Sequence, residues 1–456
     1  MELLKKNDII SLEIIDVTNE GNGVGKYDGM TIFVPDTAAG DRIECRIVKV
    51  QKKYCYGIIE KISEESPYRC DSDCDSYGKC GGCCLRHMTY ERELKEKQGF
   101  AEDAFRRIGH IDCYFDDILG AECADGYRNK AQFPVSSDDN GVLHIGFFAR
   151  RSHRVVKVNN CRLLPQIFTV ISNEIIDFCN SYGVTAYNEN TKEGLLRHIY
   201  LRKGYHSNEI MAALVVTSFE CKDLFKRLAK QLSDHYSDLK SFQLNLNDKE
   251  TNVILGEKSE VLYGREFIYD TMCGNKIAIS LHSFYQINTA QAERVYSLAA
   301  EYAQLEESDT LLDLYCGAGT IGLSMAKKVK RLIGVEIVSP AIENAKMNAE
   351  LNGIDNAEFI CSDAGKAAAL LYQRGLRPDV IIADPARKGC TPDTLQVMAD
   401  MHPKRIVMIS CNPATAARDC AELEKIGYKV VKCRAVDFFP RTNHVECVVL
   451  MSRDRN

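Results

Sequence analysis

The chain has 456 residues, of which 45% are hydrophobic and 27% are charged, and its formal net charge is −6. This length predicts about three domains, and the composition is that of a soluble globular protein. No run of about 18 apolar residues is present, so no transmembrane helix is expected. Residues 1–8 lack the apolar core and cleavage site of a signal peptide, so we expect a cytoplasmic protein without a membrane partner. The acidic balance argues mildly against nucleic-acid binding, although local patches can still be basic.

Residues 1–62 are predicted to form a small β-barrel. Strands are predicted at 9–17, 31–35, 42–50 and 54–62. Glycine-rich stretches at 21–25, 27–29 and 39–41 are interpreted as turns. Short strands at this spacing, without a helix between them, predict a barrel of the OB type. Such barrels often bind nucleic acid, but a barrel alone is weak evidence of function.

Residues 63–270 are predicted to form a central α+β domain. Helices are predicted at 89–108, 166–181 and 221–233, and strands at 126–135, 143–148 and 210–216. The chain has 20 cysteines, and a cluster of five lies in this region: Cys70, Cys74, Cys80, Cys83 and Cys84. In a reducing compartment, so many cysteines favour metal binding or catalysis over a disulfide framework. Basic residues at 128–130 and 150–154 are usually a solvated face.

Strands and helices alternate from about residue 290, and the predicted catalytic domain spans 271–456. Strands are predicted at 310–315, 331–335, 358–361, 380–383, 405–410, 429–435 and 445–451, with helices at 290–302, 321–329, 340–351 and 414–424. This alternation predicts an α/β fold with a doubly wound parallel sheet.

A glycine-rich turn follows the first of these strands, at residues 316–319. Gly317 there would let the backbone approach a ligand closely. Glu336 ends the next strand, where a carboxylate can hold ribose hydroxyls, and Asp363 and Asp384 end two further strands. The turn resembles the S-adenosylmethionine-binding turn of Rossmann-like methyltransferases. A tight turn with three helix caps is the alternative interpretation.

Cys411 lies between a buried strand and a helix start, in the run Ser-Cys-Asn-Pro-Ala-Thr at 410–415. A helix N-terminus favours a thiolate, although a lone cysteine is more often a small buried hydrophobe. Thiolate addition at C6 of a pyrimidine would make C5 nucleophilic. Glu446, at the start of the last strand, could then remove the C5 proton. His444 is a weaker candidate for this base.

Four motifs together resemble the RNA uracil-5-methyltransferase family: the run at 410–415, Asp-Pro-Ala-Arg at 384–387, His-Val-Glu at 444–446 and Ser-Phe-Tyr-Gln-Ile-Asn at 283–288. The run at 384–387 lacks the aromatic residue with which amino-group methyltransferases stack a base. The resemblance covers nearly the whole chain. It implies S-adenosylmethionine-dependent methylation of C5 of a uridine, with Cys411 as nucleophile and Glu446 as base. The expected cofactor-site residues are Gln286, Tyr315, Gly317, Glu336, Asp363 and Asp384.

Four cysteines resemble the iron–sulfur site of one branch of this family: Cys74, Cys80, Cys83 and Cys161. Four thiolates suit either a [4Fe–4S] cluster or zinc, and the spacing alone does not separate the two. The resemblance implies the cluster, in a structural or RNA-positioning role. At Arg86 the family usually has glutamine, a departure expected to alter RNA contact rather than metal binding.

The predicted barrel resembles a TRAM domain, an RNA-binding module of this family. The basic residues at 52–54 and 150–154 then become candidate phosphate contacts. A TRAM domain with a cluster resembles the bacterial 23S ribosomal RNA enzymes. The alternatives are a transfer-RNA substrate and a non-catalytic iron–sulfur regulator that binds RNA. We expect a monomer, whose helix at 89–110 can pack on the catalytic domain and make the central domain discontinuous.

Overall fold

The structure is a computed structural model that describes residues 4–453, so part of the N-terminal segment considered above for a signal peptide lies outside it. The described strands form a closed barrel, a seven-stranded sheet, a two-stranded ribbon and an eight-stranded sheet. None of the helices within this range is long and apolar enough to cross a membrane.

The predicted N-terminal barrel is confirmed. Its strands are β1 (Ile9–Val17), β2 (Asn22–Tyr27), β3 (Met30–Pro35), β4 (Arg42–Val50) and β5 (Tyr54–Glu64). They close in the order β1-β2-β3-β5-β4. Alternate residues such as Leu12, Ile32 and Val34 point inward and form the core, as the period-2 pattern of a half-buried strand requires.

Strand β2 corrects the turn predicted at 21–25. A Cβ atom on Gly23 would lie 1.9 Å from Thr37 Oγ1, and one on Gly25 would lie 2.6 Å from Leu12 Cγ. These glycines therefore mark close packing inside a narrow barrel, not a reversal of the chain.

The chain reverses on both sides of β2. One reversal lies at residues 18–21, where Gly21 has a φ angle of 78° and donates to the carbonyl oxygen of Thr18 at 2.8 Å. The other lies at 27–29, as predicted, where Asp28 and Gly29 have φ angles of 47° and 80°.

A helix and a strand follow the cysteine-rich segment: α1 (Tyr90–Ala104), which continues as a short π-helix (Phe105–Gly109), and β6 (Phe115–Leu119). The next strands are β7 (Lys130–Ser137), β8 (Leu143–Phe148), β9 (Val155–Lys157), β10 (Leu196–Lys203), β11 (Ile210–Val216), β12 (Leu239–Leu246) and β13 (Lys258–Gly264). They form a sheet of order β13-β12-β11-β10-β7-β8-β9. Helices α2 (Gln166–Ser181) and α3 (Lys222–His235) share one hydrophobic core with this sheet.

The remaining chain begins with a ribbon of β14 (Ile268–Met272) and β15 (Asn275–Ile279). Helix α4 (Thr289–Ala303) leads into the strands β16 (Thr310–Leu314), β17 (Arg331–Glu336), β18 (Ala357–Cys361), β19 (Val380–Ala383), β20 (Arg405–Ser410), β21 (Tyr428–Val436) and β22 (Glu446–Arg453). The helices between them are α5 (Thr320–Met325), α6 (Ser339–Leu351), α7 (Ala364–Gln373), α8 (Pro392–Asp400) and α9 (Pro413–Lys425).

These strands confirm the Rossmann-like fold. The sheet has the order β18-β17-β16-β19-β20-β22-β21-β6, and the five strands from β18 to β20 are parallel. The sheet is not wholly parallel, because β22 runs antiparallel to both β20 and β21. The short loop from β21 to β22 permits this, since antiparallel neighbours need no crossover helix.

Helix α1 and strand β6 pack with the eight-stranded sheet, although their residue numbers lie inside the predicted central domain. Strand β6 pairs with β21 at the sheet edge. Ala101 and Phe105 share a hydrophobic core with Cys433 and Met451 of that sheet. The chain therefore contributes to this body before and after the seven-stranded sheet.

Candidate active site

Four of the predicted site residues follow neighbouring parallel strands. Strands β17, β16, β19 and β20 are adjacent in the sheet and run in the same direction. Their C-terminal ends therefore meet at one edge, which is where ligands bind in open α/β sheets. The residues at or just beyond these ends are Glu336, Tyr315, Asp384 and Cys411.

The glycine-rich turn combines an open face with a packed one. Tyr315, Gly317 and Gly319 all have positive φ angles, of 67°, 54° and 79°. No atom lies within 4 Å of the place that a Cβ on Gly317 would occupy, whereas a Cβ on Gly319 would lie 3.2 Å from three side-chain atoms. Gly317 therefore leaves backbone open to a ligand, and Gly319 lets helix α5 pack closely.

Two carboxylates predicted to contact the cofactor, those of Glu336 and Asp363, accept different hydrogen bonds within the protein. Glu336 accepts hydrogen bonds from the backbone nitrogens of Gly317 (3.2 Å) and Val338 (2.9 Å), which holds it beside the turn. Asp363 caps helix α7, accepting from the backbone nitrogen of Lys366 at 3.1 Å. The cap is therefore a sufficient structural reason for Asp363, as the alternative interpretation expected.

Gln286 is fixed through its backbone. Its carbonyl oxygen accepts a hydrogen bond from Asn129 Nδ2 at 2.7 Å, and the same amide donates to Thr289 Oγ1 at 2.9 Å. Asn129 directly precedes β7, so the seven-stranded sheet helps to hold the predicted cofactor residue Gln286 in place. That contact could not be predicted from local sequence patterns, because the two residues are 157 positions apart.

Cys411 is half-buried between β20 and α9. Asn412 caps the helix, with its Oδ1 accepting from the backbone nitrogen of Ala414 at 3.1 Å. Asn412 Nδ2 also donates to the carbonyl oxygen of Arg387 at 3.2 Å. The Asn-Pro sequence after the cysteine therefore starts the helix and ties it to the segment that follows Asp384.

Strand pairing brings Glu446 to Cys411. In the antiparallel pair of β20 and β22, Ser410 lies opposite Cys447. The next positions outward are Cys411 on one strand and Glu446 on the other, so the two side-chain positions are neighbours across the strand ends. Glu446 is only 6% exposed. The predicted nucleophile and base are thus held together by the sheet itself.

The electrostatics at Cys411 differ from the prediction of a favoured thiolate. Burial raises the pKa of Cys411, the carboxylates of Glu446 and Asp384 raise it further, and Arg387 opposes them only in part. Burial also raises the pKa of Glu446 well above its usual range, with Asp384 adding to this effect. Burial raises the pKa of Asp384 to about 7. Because burial and, after it, the neighbouring acidic groups raise the pKa of Cys411, the protonated thiol is favoured in spite of the helix terminus.

His444 is a poor proton acceptor in this environment. Burial, followed by the charge of Arg387, lowers the pKa of His444 to about 4. Its Nε2 lies 3.4 Å from Arg387 Nη2. Its imidazole is therefore neutral at neutral pH and only weakly basic, which fits its place as the weaker candidate.

Cys411 opens into a cleft of about 580 Å³, which we call the nucleophile cleft. One wall comes from the loops around the nucleophile, with Arg387 and Asn443. The opposite wall comes from the barrel, including Asn19, Thr31 and Phe33. The predicted RNA-binding module thus borders the predicted nucleophile.

A buried ionic cluster holds the loop that leads to Glu446. Lys97 Nζ donates to Glu93 Oε1 (2.8 Å), to Asp437 Oδ1 (2.6 Å) and to the carbonyl oxygen of Phe439 (3.1 Å). The backbone nitrogen of Arg441 donates to the same Glu93 oxygen at 2.6 Å. The cluster therefore joins helix α1 to residues 437–441, a support that sequence reasoning missed.

The cysteine-rich segment touches the same loop. The backbone nitrogens of Cys84 and Leu85 both donate to the carbonyl oxygen of Arg441, at 3.1 and 3.2 Å. Asn443 Nδ2 donates to the carbonyl oxygen of Asn19 in the barrel at 2.8 Å. The segment before Glu446 is thus braced by the cysteine segment, by α1 and by the barrel.

The four predicted metal ligands line one cavity of about 700 Å³: Cys74, Cys80, Cys83 and Cys161. Cys70 and Cys84 are absent from its lining. Within residues 4–453, however, no group of three or more His, Cys, Asp or Glu side chains is arranged closely enough to hold a metal ion. The donor chemistry therefore fits a four-thiolate group, but the side-chain arrangement does not support the predicted cluster.

Two basic residues that the sequence connects with RNA contact are engaged within the protein. Arg86 is only 3% exposed, pairs with Asp73 at 2.7 Å and also contacts Asp125, so its own side chain is not free to contact RNA directly. Arg150 Nη2 donates to Asp36 Oδ1 and to the carbonyl oxygen of Cys83, both at 2.9 Å. Arg86 is therefore held by ion pairs in a buried place, whereas Arg150, whose side chain is 32% exposed, is held at the surface by its pair with Asp36.

Comparisons with known proteins show similarity over nearly the whole chain. A family model described as tRNA (Uracil-5-)-methyltransferase matches residues 89–454, and one described as TRAM domain matches residues 5–59. An uncharacterized RNA methyltransferase of Bacillus cereus is 41% identical over 99% of this chain and 98% of its own. One from Clostridium tetani is 39% identical, covering 98% and 97%. The Pyrococcus abyssi tRNA (uracil-54, C5)-methyltransferase, solved with S-adenosyl-L-homocysteine, is 27% identical, with a TM-score of 0.77 over 96% of this chain and 99% of that one.

Proposed function

We propose that this chain, which belongs to the tRNA (uracil-5-)-methyltransferase family and is thus an S-adenosylmethionine-dependent RNA uracil-C5 methyltransferase, acts on a specific uridine in 23S ribosomal RNA. The ribosomal target is supported by the TRAM barrel followed by the four cysteines, the combination that resembles the bacterial 23S ribosomal RNA enzymes. The pairing of β20 with β22, which brings Glu446 to Cys411, is the observation that carries the residue assignment. The barrel wall of the nucleophile cleft supports a structured RNA as substrate.

Cys411 is the proposed nucleophile. Its thiolate adds to C6 of the uracil, and the ring electrons then make C5 nucleophilic. S-adenosylmethionine, when bound, supplies an electrophilic methyl group on a sulfonium. Glu446 takes the proton from the methylated C5, so that the C5–C6 double bond re-forms as Cys411 leaves. Burial raises the pKa of Glu446, so its carboxylate, in the ionised form, is a stronger base than an ordinary one.

The cofactor is proposed to bind along the strand ends. Gly317 offers open backbone, and Glu336 is held beside it by two backbone hydrogen bonds. Tyr315 and Gln286 flank this region, and Asp384 adds a carboxylate where a positive charge would be favoured. Asp363 is the weakest member of the set, since its carboxylate already caps α7.

Two variants test the catalytic assignment. Cys411→Ala should abolish methyl transfer while cofactor binding, measured by calorimetry with S-adenosylhomocysteine, survives. Glu446→Gln should accumulate a denaturant-resistant RNA–protein adduct, because addition and methylation precede the loss of the proton. An unchanged turnover in Cys411→Ala, or no adduct with Glu446→Gln, would contradict the assigned roles.

The substrate test uses the purified protein with labelled S-adenosylmethionine and unmodified 23S ribosomal RNA, followed by nucleoside analysis. We expect 5-methyluridine at a discrete site. Transfer RNA is the second candidate, because the solved Pyrococcus abyssi relative is a tRNA (uracil-54, C5)-methyltransferase. Product on transfer RNA alone would keep the chemistry and overturn the ribosomal substrate.

We further propose that a [4Fe–4S] cluster binds the four cavity cysteines. The proposal rests on the identity of the four donors, which line one cavity but, in the part of the chain that the structure describes, are not arranged closely enough to hold a metal ion. Zinc is the other occupant that such a donor set accepts. Protein purified without oxygen should contain iron and sulfide in amounts that Cys161→Ser removes and the control Cys70→Ser keeps. Zinc alone, or no metal, would overturn the cluster.

A further inference from the structure

Three aromatic side chains touch one another on the outer surface of the barrel: Phe33, Tyr54 and Tyr56. Their ring centroids are separated by 5.6 to 5.8 Å. Strands β3 and β5 run parallel with Phe33 opposite Tyr56, while Ile32 and its partner Cys55 are buried in the barrel core. Alternation along the strands therefore turns the three rings outward. We call this group the aromatic face.

The aromatic face is not part of the barrel core. Tyr54 is 37% exposed, and Phe33 and Tyr56 are half-buried. The core of the barrel is instead aliphatic, with residues such as Ile32 and Val34. A contiguous group of rings left accessible to water on a folded domain is commonly an interaction surface.

The aromatic face continues into the nucleophile cleft. Thr31 and Phe33 line that cleft together with Cys411. Lys52 and Lys53, directly before Tyr54, are both exposed. On the opposite wall, Arg387 is exposed, and within residues 4–453 no carboxylate lies at ion-pairing distance from it. Lys52 and Lys53 thus lie beside the aromatic face, and Arg387 lies beside Cys411 at the other wall of the cleft.

A uridine that reacts with Cys411 must leave the base stack of its RNA, because the thiol is half-buried at the cleft. The neighbouring bases then lose a stacking partner. Aromatic rings replace such a partner without regard to sequence, since every base has a π-face. The proposed function supplies the target uridine, and Phe33 of the aromatic face lines the cleft that this uridine must enter to reach Cys411.

We propose that the aromatic face stacks an unpaired RNA base adjacent to the target uridine, with Lys52 and Lys53 contacting its phosphates. Tyr54 is thereby assigned to base stacking rather than to the phosphate contact expected from its basic neighbours. This inference rests on the proposed function for the identity of the reacting nucleotide, but the stacking itself is measurable without methyl transfer.

The test uses tryptophan fluorescence, because the chain contains no tryptophan. Tyr54→Trp places a single fluorophore on the aromatic face. The matched control is Tyr263→Trp, on strand β13 at the edge of the seven-stranded sheet, where Tyr263 is 38% exposed against 37% for Tyr54. The probe is a single-stranded RNA of about ten nucleotides and mixed sequence, alongside its duplex.

We expect the single strand to quench the fluorescence of Tyr54→Trp saturably, the duplex to quench it much less, and the control to respond to neither. Tyr54→Ala should weaken binding of the single strand roughly 5- to 150-fold, and Tyr54→Phe should restore it. The salt dependence of binding should stay unchanged in Tyr54→Ala but become shallower in Lys53→Ala, because only the lysine releases counterions.

Equal quenching by single strand and duplex, or quenching of both tryptophan variants, would overturn the inference. So would a lower salt dependence in Tyr54→Ala, since Tyr54 would then act through phosphates. Methylation of RNA without quenching would leave the proposed function standing and refute the stacking. Quenching without methylation of either RNA would refute the proposed function and leave the stacking standing.

Discussion

Replacing Lys97 with methionine should strongly destabilise the catalytic body. Lys97 is fully buried, and so are its partners Glu93 and Asp437. All three ammonium protons have acceptors at 2.6 to 3.1 Å. Lys97→Met would leave two buried carboxylates with only Tyr90 and Arg441 beside them. Breaking a buried ion pair in this way costs about 3–5 kcal/mol.

The matched control for this prediction is Lys95→Met, an exposed lysine on the same helix. Its loss should change stability by less than about 0.5 kcal/mol. The measurements are urea unfolding and hydrogen exchange of the peptide covering α1. Burial already raises the pKa of Glu93 and Lys97 opposes that rise, so removing Lys97 raises the folded-state pKa of Glu93 further above its unfolded value. The free energy of unfolding that Lys97→Met loses should therefore grow as pH rises and shrink as pH falls. Equal stability of the two variants would refute the reasoning.

Three further changes have defined outcomes. Without cofactor, alkylation of Cys411, followed by peptide mass spectrometry, should need a higher pH than alkylation of an ordinary thiol. Glu446→Gln should move the pH dependence of this alkylation to lower pH, because Glu446 raises the pKa of Cys411. A move to higher pH would contradict this. Gly317→Ala should weaken S-adenosylhomocysteine binding measured by calorimetry. The control is Gly353→Ala, because Gly353 has a similar φ of 62° and no atom within 4 Å of the place of a Cβ. This control should cost only about 1 kcal/mol of stability and leave the affinity intact. Gly23→Ala should destabilise the barrel by about 1–3 kcal/mol in thermal unfolding, because its Cβ would meet Thr37 Oγ1 at 1.9 Å; an unchanged midpoint would mean that Thr37 moves freely.

Strands and helices with strong local periods could be predicted from the sequence. The bounds of β1, β4, β8, β11, β19, β20 and α2 agree with prediction to the residue. Strand β2 was missed because its glycines resemble turn signals, and their reason is contact with Thr37 and Leu12 across the barrel. Strand β10 was missed because Arg197, His198 and Arg202 interrupt its apolar pattern, although the fold buries them.

The order of strands could not be predicted beyond the parallel core. The antiparallel entry of β22 places Glu446 beside Cys411, and only strand pairing reveals it. The sign of the pKa shift at Cys411 also needed the structure. The helix start is visible in the sequence, but the carboxylates of Glu446 and Asp384 approach from other strands.

The reaction class could be predicted from the sequence, because the predicted nucleophile at a strand end, the glycine-rich turn and the carboxylates at further strand ends are local patterns. The support of these residues became visible only from contacts in the fold. Lys97 and Asp437 are 340 positions apart, and the aromatic face meets Cys411 across a cleft between two bodies. The physical reason is that local periodicity reports which side of an element is buried, whereas partners distant in sequence are chosen by packing.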